Sequence, residues 1–140
     1  MKKTLLVAII LLTFGAANAQ KICSKTGYDT EFTWRDNQLC KNTGYDVVLT
    51  IRSSQVCKVS GYDVLYTVRD NQICKGTGYD VLYTIRDNQI CKDTGYEVIY
   101  TVRDTQICSG TGYDVLYTIR DGYINKVELA ATIHAVNYIY

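Results

Sequence analysis

The chain of 140 residues has no proline, one histidine, one methionine and one tryptophan, and its charges nearly cancel, 15 basic against 14 acidic. Without proline, a hydrogen-bonded β-ladder need not be interrupted anywhere. A lone histidine, His134, on an apolar stretch reads as a satisfied core residue rather than a catalyst. The serines beyond the N-terminal segment sit in turn-like positions, so a nucleophile and base pair has no candidate. No catalytic residue, cofactor or metal site is expected, because the closely spaced cysteine pairs of zinc sites are missing as well. With no basic stripe, nucleic acid is excluded as a partner.

Long hydrophobic runs are scarce too. The one from Leu5 to Phe14 is shorter than the roughly 20 residues a membrane helix needs. Preceded by Lys2 and Lys3 and followed by Ala17-Asn18-Ala19, it reads as a signal peptide over residues 1–19, which makes the protein exported, periplasmic or secreted. Gln20 follows the cleavage site and Cys23 lacks the small residues that lipoprotein processing requires, which argues against a lipid anchor. Removing Lys2 and Lys3 from the 15 basic residues leaves 13 against 14 acidic, so bulk charge selects no partner.

What the chain does have is repetition. Cys23, Cys40, Cys57, Cys74, Cys91 and Cys108 stand 17 residues apart, and the stretch from Gly61 to Lys75 returns almost unchanged as Gly78 to Lys92. Within a unit, Val64, Tyr66 and Val68 alternate with Leu65, Thr67 and Arg69, the period of two of a β-strand. Asp70-Asn71 makes a two-residue hairpin turn, for which Asp121-Gly122 is the strongest signal, and Gln72 to Lys75 returns as a short strand. Val68 then lies opposite Ile73, and Thr67 opposite Cys74. One face carries Val64, Tyr66, Val68, Ile73 and Lys75; the other carries Leu65, Thr67, Arg69 and Cys74. Phe32 and Trp34 on the first face and Glu31 at the Leu65 position make the first the core face, with the cysteines on the less apolar side.

Six such hairpins in residues 20–126 form an antiparallel meander that closes into a barrel-like ring and so hides its edges. The segment from Lys21 to Lys25 is a return strand without a long strand of its own, available to pair with Val115 to Arg120. Asn125 with Glu128 forms a capping box, and residues 127–140 read as a helix that is apolar nearly all round. About 13 helical residues span roughly 20 Å, enough to plug the ring centre.

The unit V-L-Y-T-I-R-D-N-Q-I-C-K-G-T-G, together with the apolar C-terminal helix after the last Asp-Gly turn, resembles the exported β-flower proteins, of the five-fold type but with six units here. The resemblance runs from Lys21 to about Tyr138. It implies hairpin petals around a shallow barrel, distantly similar to the Tubby C-terminal barrel, and through that a lipid-binding or membrane-associated role. It carries over no binding residue.

An even number of cysteines in an exported chain ordinarily implies disulfides. In a meander, however, equivalent cysteines lie about 9.5 Å apart, beyond the limit of roughly 7 Å between bridged Cα atoms. Free thiols, or pairing between molecules, are expected. Arg35, Arg52, Arg69, Arg86, Arg103 and Arg120 stand beside the hairpin tips, and Tyr62, Tyr79 and Tyr113 each precede an aspartate. Their structural role would be Arg to Asp pairing at the turns and tyrosine cover at the rim. Their functional role would be a rim for an anionic ligand, with membrane lipid and anionic glycan the partner classes. The expected function is a non-enzymatic, exported, envelope-associated binding protein. The alternative is a structural assembly protein, a stacked β-solenoid with a fibre-forming or ice-binding surface, self-associating through cysteines or repeat edges.

Overall fold

A computed structural model describes residues 19–139, and the signal-peptide expectation for residues 1–19 lies almost wholly outside them. The fold is a closed antiparallel barrel of 12 strands followed by one C-terminal helix. Short β1 (Lys21–Ser24) precedes six long strands: β2 (Thr30–Arg35), β4 (Val47–Arg52), β6 (Val64–Arg69), β8 (Val81–Arg86), β10 (Val98–Arg103) and β12 (Val115–Arg120). Between them run the short returns β3 (Gln38–Lys41), β5 (Gln55–Lys58), β7 (Gln72–Lys75), β9 (Gln89–Lys92) and β11 (Gln106–Ser109).

Each hairpin keeps the expected register, with Val68 opposite Ile73, Thr67 opposite Cys74 and Arg69 opposite Gln72. The first turn residue takes left-handed φ in every copy, 52° at Asp70 and 56° at Ser53, a conformation that Asp and Asn accept more readily than most residues. Closure comes from β1, which pairs with β12 from Lys21 opposite Arg120 to Ser24 opposite Tyr117. Residues after Gly122 form no return strand, so the N-terminal strand takes the sixth place in the ring. Every strand is thus paired on both sides, and the stacked solenoid is set aside in favour of the barrel.

The alternation of faces breaks at the start of each long strand. Cys74 pairs with Val81 and Ile73 with Tyr83, leaving Leu82 as the extra residue of a β-bulge. The same shift falls at Glu31, Val48, Leu65, Ile99 and Leu116. The face assignment from the sequence is corrected accordingly: Val64 joins the cysteine face, whereas Leu65 joins the core cluster alongside Tyr66. The bulge carbonyl stays bonded, since Leu65 O accepts from Gly76 N at 2.9 Å and Val48 O from Val59 N at 2.9 Å.

The core holds Ile22, Phe32, Trp34, Leu39, Leu49, Val56, Ile73, Ile90 and Ile107 from the inner face, with Leu129, Ala130, Ala131 and Ile133 from the helix. Helix α1 (Lys126–His134) begins at an Asn125 cap whose side chain accepts from Glu128 N at 2.8 Å, while the Glu128 carboxylate accepts from Asn125 N at 3.3 Å. Lys126 Nζ donates to the carbonyl of Asp70, a hairpin-tip residue, at 3.0 Å. A wider π-helical turn, Ala135–Ile139, ends the described chain.

Candidate functional site

The outer face is covered by the loops that join one hairpin to the next. In the third hairpin, Thr67 Oγ1 donates to Gly76 O at 2.6 Å, and Arg69 donates from Nε to Gly78 O at 3.3 Å and from Nη2 to Thr77 O at 2.8 Å. These bonds fold the loop from Gly76 to Asp80 back over the face that carries Thr67 and Cys74. The guanidinium then lies over the ring of Tyr79, 4.1 Å from its centroid. Arg35 with Tyr45, Arg52 with Tyr62, Arg86 with Tyr96 and Arg103 with Tyr113 repeat the contact, and Arg120 makes it across the seam with Tyr28. All six separations fall between 4.0 and 4.2 Å, which is cation–π range.

The expected Arg to Asp pairing is replaced by this latch. Loop carbonyls, fixed in direction by the backbone, take the forked donors that a mobile aspartate would have to be held still to accept. Arg86 departs slightly: its Nη2 bonds to Thr94 O at 2.9 Å, and its buried Nε has no partner among the described residues. The stacked tyrosines remain 80% exposed, so each offers its edge and one ring face to solvent.

Beneath the loops lie the six cysteines, all free thiols and each 1% exposed. The less apolar face proves to be a second buried layer, because the folded-back loop supplies the cover that the sheet alone lacks. Burial pushes the Cys40 thiol above its usual range, against a smaller opposing pull from Arg35.

The inner face ends in a polar cluster at the mouth opposite the hairpin tips. Tyr66 Oη lies 2.8 Å from His134 Nδ1, Tyr100 Oη donates to Asn137 Oδ1 at 2.8 Å, and Asn137 Nδ2 donates to Tyr83 Oη at 2.7 Å. Tyr138 stacks on His134, with centroids 4.8 Å apart. Burial raises the Tyr66, Tyr83 and Tyr100 hydroxyls and lowers the His134 imidazole, so all four stay neutral near pH 7. Among the described residues no group of His, Cys, Asp and Glu is arranged to hold a metal.

A closed ring of six equivalent hairpins, each sealed by its own loop, decides the assignment, and the family model described as 6-fold beta flower protein matches residues 23–138. The chain belongs to the six-fold β-flower family. No curated protein and no solved structure matches it. The six hairpins counted in the sequence stand, and the six-fold family takes the place of the five-fold type that the resemblance named. Membership suggests a small non-catalytic β protein. In this β-flower the rim residues expected from the sequence fall together: Arg35, Arg52, Arg69, Arg86, Arg103 and Arg120 with Tyr62, Tyr79 and Tyr113 all belong to the outer latch, together with Tyr28, Tyr45 and Tyr96. The inner Tyr66, Tyr83, Tyr100, His134 and Asn137 set was not foreseen as a site. Its one sequence signal was a hydroxyl-bearing tyrosine recurring at a core position, where Phe or Leu would bury without needing a partner.

Proposed function

We propose that this β-flower is a non-enzymatic, exported binding protein that engages an anionic glycan of the cell envelope through its outer belt of latched tyrosines. The observation that carries the reading is the belt itself: six tyrosines, each 80% exposed and each backed by a guanidinium. Tyrosine presents a flat apolar face and a hydroxyl with little side-chain freedom to lose, which suits the faces and hydroxyls of sugars. Arginine adds positive charge behind each ring. The loop bonds use Nε and Nη2, so Nη1 is the nitrogen left to this role. Six weak equivalent sites match a repeating polymer, because the second contact on one chain is intramolecular.

In this reading the barrel is a rigid support for the belt, with α1 filling its interior. Support comes from Ala130, Ala131 and Ala135, all 0% exposed, and from the packing of α1 on β4, β5 and β6.

The test is retention on immobilised anionic polysaccharide, with anionic liposomes run in parallel. Tyr62→Ala, Tyr79→Ala and Tyr96→Ala combined should leave the circular dichroism spectrum unchanged and cut glycan affinity by about tenfold or more. Flotation with liposomes and no retention on polysaccharide would move the assignment to a lipid surface. Indifference of both ligands to the triple variant would remove the belt from function.

A further inference from the structure

Val59 stands just after β5 with φ of 53°. Left-handed backbone crowds a branched Cβ, so a valine there is strained. The equivalent residues in the other hairpins are Lys25, Asn42, Gly76, Asp93 and Gly110, and glycine takes this conformation without penalty. Burial does not compensate, since Val59 is 47% exposed. A strained, exposed, apolar residue at one of six equivalent positions is the kind of local cost that clusters at binding sites.

The surroundings of Val59 point the same way. With Val48, Leu65, Tyr138 and Ile139 it lines a cavity of about 440 Å³. A second, of about 340 Å³, adjoins it across Leu65, His134 and Tyr138. Both volumes suit small ligands. Setting aside the belt tyrosines and Tyr123, the large exposed apolar residues among the described residues are Val59, Tyr138 and Ile139, and all three border the first cavity. Lys58 lines one cavity and Lys75 the other, and among the described residues neither lining includes a carboxylate. On the inner wall, His134 Nδ1 is already paired with Tyr66 Oη at 2.8 Å.

We propose that this cleft at the barrel mouth binds an amphipathic anion, an acyl chain bearing a carboxylate or phosphate, with the chain against Val48, Val59, Leu65 and Ile139 and the anion at Lys58 and Lys75. Apolar walls remove the chain from water, and the two ammonium groups draw the charged end to the rim. The site lies on the mouth rather than the outer belt and stands independently of the glycan reading.

Titration of the purified protein with decanoate below its micellar range tests this, followed by calorimetry and by the tyrosine resonances. Saturable binding is expected, weaker for decanol by about threefold or more. Val59→Asn, which installs the residue of the second hairpin, should weaken decanoate binding about fivefold or more while raising the thermal midpoint. Weaker binding by a more stable protein is not a folding defect. Lys58→Gln with Lys75→Gln should abolish the preference for decanoate over decanol. Phosphatidylglycerol vesicles distinguish the source: binding to vesicles but not to free decanoate, weakened by Val59→Asn, assigns the cleft to an acyl chain held in a lipid surface. Failure to bind both, or binding that Val59→Asn leaves unchanged, overturns the proposal.

Discussion

Arg120 lies over the ring of Tyr28 at 4.0 Å, joining the last long strand to the first loop of the described chain. The same guanidinium donates to Thr26 O at 3.0 Å and Gly27 O at 2.9 Å. The closing seam therefore uses the same latch as the five hairpins that are continuous in sequence, and ring closure depends on side chains as well as on the β1 to β12 ladder.

Replacing a latch arginine should cost stability without changing the fold. Arg69→Ala and Arg120→Ala each remove charge-assisted bonds and a cation–π contact at a partly exposed site, about 1–2 kcal/mol apiece. Lysine should restore less than half of this, because it lacks the fork. Urea midpoints measure the effect, and unchanged midpoints would mean the latch is energetically idle.

The buried threonines give a cleaner comparison. Thr67 Oγ1 bonds Gly76 O at 2.6 Å, so Thr67→Val keeps the shape and orphans a carbonyl, at about 1–2 kcal/mol. Thr67→Ser should keep the bond and lose less. Equal loss in both would point to packing, not hydrogen bonding.

Thiol chemistry reports on the loops. With each cysteine 1% exposed, iodoacetamide should leave the native protein unmodified and label six thiols in urea. Arg69→Ala should speed labelling of Cys74 while leaving Cys23 slow, as read by peptide mass. Uniform acceleration would show that the petals open only by global unfolding.

Stability should fall as acid protonates His134. Burial lowers its pKa in the folded chain, so the unfolded state binds more protons in that window. The contribution is fully present above the ordinary histidine range near 6.5 and is lost as pH drops through that range toward the lowered folded value. Tyr66, whose hydroxyl faces the ring, stays protonated throughout because burial raises it, and Tyr138 stacks on the imidazole. Chemical denaturation between pH 5 and 7.5 should show a slope that His134→Asn flattens; an equal slope in the variant would assign it to other groups, and not to Glu128, whose carboxyl burial raises and which therefore works in the opposite direction.

The helix cap offers a local test. Asn125→Ala removes one half of the capping box and should cost about 1 kcal/mol. Glu128→Gln should retain most of it, since an amide oxygen can still accept from Asn125 N.

Much of the scaffold was legible because its signals are local or periodic. The hairpin register follows from a two-residue turn, the pairing of β1 with β12 from an unpartnered return strand, and the start of α1 from Asn125 and Glu128. Counting alternate residues failed at Leu65. In a run such as Val64-Leu65-Tyr66 every choice of face is apolar, so one inserted residue leaves no mark on the pattern.

By itself the sequence determined the repeat, the hairpin register and the count of six units, since each is local or periodic along the chain. The tertiary structure alone decided that loops fold back to bury the cysteines, that arginine meets carbonyl and tyrosine rather than aspartate, and that Val59, Tyr138 and Leu65 share one cleft. Those outcomes depend on where a bulge turns a side chain and where the C-terminal helix packs against β4, β5 and β6. Both are properties of the assembled barrel that no stretch of residues encodes alone.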